Sequence, residues 1–296
     1  MKKFYYGGQA VVEGVMMRGR KTMVTAVRRS DGSVAVDAQP LPAFYSGRLR
    51  QAPLIRGFIV MVESLTLGMK ALMYSTNVSL EEEGEEVSGG MAWVMVVISL
   101  SLGIGLFFIA PLFLTRLFHF KSSIIFNLVD GLIRVAFFIT YLKLMTLLAD
   151  IRRVFAYHGA EHKTVNAYEA GVPLEVEAIK RYSTAHTRCG TSFLFIVMIV
   201  SIIVFSLIGL PSLLWMVLSR IVLIPVISAL SYEFIYFGAR HNENSLMRII
   251  LTPGLWLQSL TTREPDDSQI EVALIAMKKV IEAEQPTVEA QPAAGV

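Results

Sequence analysis

Four stretches of this sequence, at about residues 91–114, 123–149, 192–210 and 212–238, run for some 20 residues or more with few or no charged side chains. A helix of about 20 residues crosses the ~30 Å hydrocarbon core of a bilayer, so each stretch has the length and character of a membrane span. The composition agrees. Of 296 residues, 54% are hydrophobic and only 17% charged, against about a quarter charged in soluble domains, and the mean hydropathy is +0.55. An ordinary soluble domain is excluded, and a polytopic α-helical membrane protein with about four transmembrane helices is predicted.

The first and third stretches carry no charge. The second holds Asn127, Asp130, Arg134 and Lys143, and the fourth holds Arg220, Pro225 and Glu233. Such groups face protein or a wet cavity rather than lipid, which predicts a bundle with a polar interior. Asp130 and Arg220 lie at matched depths, ~10 Å from the outer surface at 1.5 Å rise per residue, so a structural ion pair is expected. Asp130 and Arg134 are one turn apart and can pair within their own helix.

Lys and Arg are distributed 11, 2, 6, 0 and 5 over residues 1–90, the loop after the first span, residues 150–191, the Pro211 turn and the tail. The positive-inside rule then places the N-terminus, the long middle loop and the C-terminus in the cytosol of a bacterial inner membrane. The start, Met1-Lys2-Lys3-Phe4-Tyr5-Tyr6-Gly7-Gly8, has no apolar core of a cleavable signal, so a retained cytosolic N-terminus is expected. A fifth apolar stretch, 53–74, carries Arg56, Glu63 and Lys70 seven residues apart on one face. That polar stripe predicts an interfacial helix. The Glu81 to Glu86 cluster after it is expected to be a solvated linker.

Residues 22–38 form two alternating runs around Asp31-Gly32, a β-hairpin signal. With Gly7, Gly8, Gly14 and Gly19 marking further short strands, residues 1–50 are predicted to be a small cytosolic β subdomain. Residues 51–90 then hold the interfacial helix and linker, 91–240 the four-helix region with its cytosolic loop 150–191, and 241–284 C-terminal cytosolic or interfacial helices. Asp266-Asp267-Ser268 caps one of these, with Ile270, Ala273, Leu274, Met277 and Ile281 at helical spacing. Residues 285–296, rich in Ala, Pro, Glu and Gln, are expected to be a disordered tail.

The loop 150–191 carries the chemistry. His158-Gly159-Ala160-Glu161-His162 reads H-x-x-E-H, which on a helix puts both imidazoles on one face with a carboxylate beside them. This is the inverted zincin pattern, two His for zinc and Glu as general base. Three of the five histidines and the single cysteine fall between 158 and 189, the last pair as His186-Thr187-Arg188-Cys189. Imidazole and thiolate are natural zinc ligands. Glu233 adds a carboxylate at matching depth. Two arrangements follow. With His158, His162 and either Glu233 or His186 as ligands, one position stays open and Glu161 is catalytic. With His158, His162, His186 and Cys189 all bound, the site is closed and structural. Solvated roles are expected for His119 and His241.

Four motifs carry a resemblance: G-G-Q-A-V-V-E-G-V-M-M-R-G (7–19), Y-H-G-A-E-H-K-T (157–164), H-T-R-C-G-T-S-F (186–193) and L-T-T-R-E-P-D-D-S-Q-I-E-V-A (260–273). The chain resembles the YqhQ-like family of bacterial integral membrane proteins of unknown function. The resemblance implies a bacterial membrane protein described as a predicted metal-dependent enzyme.

The expectation is therefore a zinc-dependent, membrane-bound hydrolase with its site at the cytosolic face, acting on a membrane-associated peptide or lipid. The alternative is a non-enzymatic assembly protein with a structural metal and a cytosolic protein partner. The small net charge of +3 gives no reason to expect a nucleic-acid partner.

Overall fold

The structure, a computed structural model, describes residues 4, 6–45, 47–81, 88–186, 188–240 and 245–285. The acidic linker beyond Glu81, Thr187, His241 and the tail from 286 lie outside the described residues.

Four antiparallel strands, β1 (Gly7–Val11), β2 (Gly14–Arg18), β3 (Thr22–Arg28) and β4 (Val34–Pro40), pair in the order β1-β2-β3-β4. The Asp31-Gly32 turn forms as the sequence predicts: Gly32 sits at φ +85°, and Asp31 Oδ1 accepts from Ser33 N at 2.8 Å. Successive residues on a strand point to opposite faces. In the observed register Val15 faces Ala26 and Met17 faces Val24 on one side, while Met16 and Thr25 pair on the other. Both faces are covered, which is why five consecutive residues of β3, Met23 to Val27, are buried, Thr25 among them.

One face packs against α5 (Ala149–Glu169) and α11 (Asp267–Glu284). Val15, Met17, Val24 and Ala26 share a core with Tyr157, Ala160, Ile270, Ala273 and Met277. The other face packs against α1 (Ile55–Leu80), where Ile59, Leu67 and Ala71 meet Val11, Met16 and Met23. Two residues of the polar stripe of α1, Arg56 and Glu63, are engaged in ion pairs, while Lys70 is exposed. Glu63, 4% exposed, binds Arg18 and Arg50 beside the sheet, and Arg56 binds Glu233. The expected helix cap on α11 is a full capping box between Asp266 and Gln269.

Away from this lobe, α2 (Gly89–Ile104) and α3 (Ala110–Arg116) are joined by a π-helical turn at Gly105–Ile109. Then come α4 (Ser123–Met145), the short α6 (Val176–Ile179), α7 (Gly190–Ile208), α8 (Leu213–Val222), α9 (Ile224–Arg240) and α10 (Ser245–Gln258). The second apolar stretch ends at Met145, four residues before the predicted boundary. The fourth is two helices bent by 50°, broken at Leu223. Pro225, with no N–H to continue the helical ladder, accounts for the break. Among the described residues four helices are long and apolar enough to cross a membrane: Ile55–Leu80, Gly89–Arg116, Ser123–Met145 and Gly190–Ile208. The bent α8–α9 pair makes a fifth if it counts as one span.

Candidate metal centre

The helix α5 places His158 and His162 on one face, their ring centroids 4.3 Å apart. The start of α7 brings Cys189 to them. Cys189 is the N-cap of α7, and Thr191 N donates to its Sγ at 3.4 Å. One ligand atom from each of His158, His162 and Cys189 lies within 4.8 Å of the other two. The three are well buried except His158, which is partly so.

Two backbone carbonyls set the state of the rings. His158 Nδ1 lies 2.8 Å from Thr261 O, and His162 Nδ1 lies 2.6 Å from Thr184 O. A carbonyl oxygen only accepts, so each Nδ1 carries a proton and donates it there, which leaves each Nε2 as the ring nitrogen available to a ligand. A carbonyl on the far nitrogen is the usual support of a metal-binding histidine. His158 Nε2 points at Cys189 Sγ, 3.3 Å away. Burial pushes the Cys189 thiol up, but the adjacent His162 ring and the Thr191 N–H outweigh it and leave the thiol below its ordinary value.

Two glycines make this geometry accessible. A Cβ on Gly159 would stand 2.0 Å from Arg263 O, so only glycine lets the 261–263 segment run against α5 and deliver the Thr261 carbonyl. Arg263 N donates to Phe155 O at 2.9 Å and fixes the register. A Cβ on Gly8 would meet Glu161 Cγ at 2.8 Å, so β1 closes over the Glu161 side chain. Glu161 is 5% exposed, with Oε2 3.4 Å from His162 Nε2. Lys163 donates to Lys180 O at 2.8 Å and pairs with Glu264, tying α5 to the segments around it.

The structure brings together His158, His162, Cys189 and, beside them, Glu161. It does not bring in Glu233, whose carboxylate accepts from Leu54 N at 2.9 Å and from the Arg56 guanidinium. Its depth along α9 matched, but an arginine one helix away takes it. His186 is adjacent, its ring 5.5 Å from that of His162, yet it is turned away: Nδ1 accepts from Arg188 N at 3.4 Å and Nε2 faces Glu169 at 3.9 Å. Gln258 holds the His186 backbone at both its N–H and its C=O, at 2.8 and 2.9 Å. Sequence reasoning missed Gly8, Thr184, Gln258 and Thr261. The carbonyls of Thr184 and Thr261 leave no side-chain signal, whereas Gly159 stood inside the motif itself. His119 is exposed and sits on a loop at φ +52°.

Fold and cluster together define a predominantly helical protein with several helices of membrane-spanning length and a small α/β lobe bearing a His-His-Cys cluster. The chain belongs to the family described as a protein of unknown function (DUF1385), which matches residues 52–283. It is 34% identical to the "Uncharacterized protein YqhQ" of Bacillus subtilis (strain 168), covering 94% of this chain and 93% of that protein. No solved structure matches.

Proposed function

We propose that this protein is a zinc-dependent hydrolase of the bacterial inner membrane, with its metal held by His158, His162 and Cys189 at the cytosolic face. The observation that carries the reading is the convergence of three donor atoms with both Nδ1–H groups already committed to carbonyls. Two imidazoles and a thiol suit zinc, and three protein ligands leave a position open. Zinc would supply Lewis acidity there, easing deprotonation of water and polarising a scissile carbonyl. Glu161 is the general base. Its carboxylate takes a proton from water as the new C–O bond forms and returns it to the leaving amine or alcohol. The buried, glycine-lined approach of β1 holds that carboxylate in place and limits bulk water around it. A membrane-associated peptide or lipid is the proposed substrate, because the start of α7 carries one ligand.

Support for the membrane arrangement comes from the shared core of the lobe. Strands β1–β4, α5 and α11 pack together, so all lie on one side of a bilayer. The chain then crosses an even number of times between Pro40 and Ala149, and again between Glu169 and Asp267. Spans at α2–α3 and α4, then at α7 and the α8–α9 pair, satisfy both conditions. A crossing by α1 would break the first, and the packing of α1 along the sheet supports an interfacial helix. The excess of Lys and Arg in these segments supports a cytosolic side for them.

The second reading, a non-enzymatic assembly protein with a structural metal and a cytosolic partner, is favoured by the burial of His162, Glu161 and Cys189. Metal analysis of the purified full-length protein, alongside Glu161→Gln, tests both. Stoichiometric zinc in both forms, with ester or amide turnover lost in the variant, is the hydrolase result. Zinc without any turnover that depends on Glu161 is the structural result. Protein without zinc overturns both.

A further inference from the structure

A second cluster lies in the helical bundle, far along the chain from the His-His-Cys centre. Asp130 and Arg134 on α4 and Arg220 on α8 are each no more than 2% exposed. Arg134 Nη2 donates to Asp130 Oδ2 at 2.6 Å, and Arg220 Nη2 stands 3.4 Å from the same oxygen without a hydrogen bond. Arg134 Nη1 is held by Ser201 of α7, and Arg220 Nη1 donates to Met216 O at 3.1 Å. Arg134 Nε, Arg220 Nε and Arg220 Nη2 are buried and have no hydrogen-bond partner among the described residues, and neither has the second carboxylate oxygen, Asp130 Oδ1.

Two guanidiniums share one carboxylate, so these three side chains carry one net positive charge. A buried charge without a counter-ion is strongly disfavoured, and each unmatched N–H adds its own desolvation cost. The Nε and Nη2 of an arginine form one edge of its fork, the edge that grips an anion. In Arg220 neither nitrogen of that edge makes a hydrogen bond, although Nη2 stands within ion-pair distance of Asp130 Oδ2. Aromatic rings occupy the other directions: Arg134 lies 4.8 Å over Phe108, and Arg220 lies 4.7 Å over Phe205. With rings on those sides, an ion bound at the free edge has to be small.

Two backbone irregularities fall at the same layer. Phe108 belongs to the π-helical turn Gly105–Ile109, and π turns recur at functional sites. Arg220 stands less than one turn before the break at Leu223, where the α8–α9 pair bends by 50°, and interrupted helices mark ion and substrate sites in membrane bundles.

We propose that Asp130, Arg134 and Arg220 form a binding site for a small monovalent anion of chloride size, with the two guanidiniums as its donors and Asp130 setting its affinity. The site is independent of the metal centre and of any hydrolytic activity.

The test uses full-length protein purified in chloride-free gluconate buffer and titrated with labelled chloride at constant ionic strength. The expected result is saturable binding at about one ion per chain and a Tm that rises with chloride. Arg220→Met should abolish the binding, and Cys189→Ser should leave it unchanged. Because an arginine change in the bundle can fail to fold, Asp130→Asn provides the second arm. It is nearly isosteric and removes the competing carboxylate, so chloride should bind about tenfold or more tightly, the response to losing one negative neighbour at low dielectric. Absence of saturable binding in the wild type, or an Asp130→Asn protein that binds no tighter, overturns the proposal and leaves a structural ion pair. Binding lost in Cys189→Ser overturns it too, by assigning the ion to the metal centre.

Discussion

Cys189 Sγ and His158 Nε2 lie 3.3 Å apart although 31 residues separate them, and they join the start of α7 to the middle of α5. If a metal sits between them, Cys189→Ser removes one of three protein ligands. Zinc content should fall by an order of magnitude or more, the loss expected even from weaker changes around a metal site. Glu161→Gln, by contrast, should keep zinc and lose turnover, because only proton transfer is removed. Elemental analysis of the two purified variants checks both statements. Full zinc in Cys189→Ser would exclude the thiol as a ligand.

Gly159→Ala tests the support of that site. In the middle of an exposed helix this change stabilises by up to about 1 kcal/mol. Here the added Cβ meets Arg263 O, so the sign reverses and a loss of about 1–3 kcal/mol is expected. Zinc should be lost as well, because Thr261 O moves from His158. Thermal unfolding with metal analysis reads both effects; a more stable variant would refute the close packing.

The orientation is open to labelling. A cysteine introduced at exposed Lys121 should react with an impermeant thiol reagent added to intact cells, and one at exposed Lys180 should react only after permeabilisation. The native Cys189 is buried, 7% exposed, and gives a low background. Reversed labelling would move the metal centre to the outer face.

In chloride-free buffer Asp130→Ala should destabilise by about 3–5 kcal/mol, since it leaves Arg134 and Arg220 buried without a counter-charge. Replacing all three by apolar residues of similar size should recover most of the loss. Strictly additive effects would show that the three do not form one cluster.

The cap of α11 gives a pH dependence. Asp266 is partly desolvated, which raises its carboxyl, but the Ser268 hydroxyl, the Gln269 N–H and the Arg153 charge together pull it below the usual aspartate range. A carboxylate depressed in the folded state contributes stability that is present above its unfolded pKa and lost as pH falls through its folded one. Asp266→Ala should therefore cost about 1 kcal/mol at neutral pH and progressively less as the pH drops below the ordinary aspartate range. Tm measured across that range, wild type against variant, gives the comparison. A constant difference would assign the effect to packing.

The parts of this fold that sequence revealed are those whose causes are local. Asp31-Gly32 needs only its own turn, Asp266 and Gln269 only their own helix end, and the apolar stretches only their composition. His158 and His162 were legible for the same reason, one helical turn apart. The lobe was not, because its sheet, α5 and α11 come from three segments separated by the apolar helices, and nothing in residues 7–40 tells which helix covers which face. The alternation in residues 22–38 marked the hairpin but did not show that both faces of β3 are buried. Glu233 was misplaced because depth along a helix says nothing about rotation around it, and Arg56 decides that rotation. The carbonyls of Thr184 and Thr261 belong to the backbone, so any residue there would have read the same.

The sheet that begins the chain is covered by the helix that nearly ends it: Tyr6 Oη donates to Glu284, 278 residues later. During synthesis the strands therefore leave the ribosome long before α11 exists, with Val15, Met17, Val24 and Ala26 bare on that side. The Thr261 carbonyl that orients His158 is also made 103 residues after it. Maturation of the centre thus waits for the segment around Thr261, and a chain halted before residue 261 presents a sheet that lacks the cover of α11 and a His158 without its carbonyl.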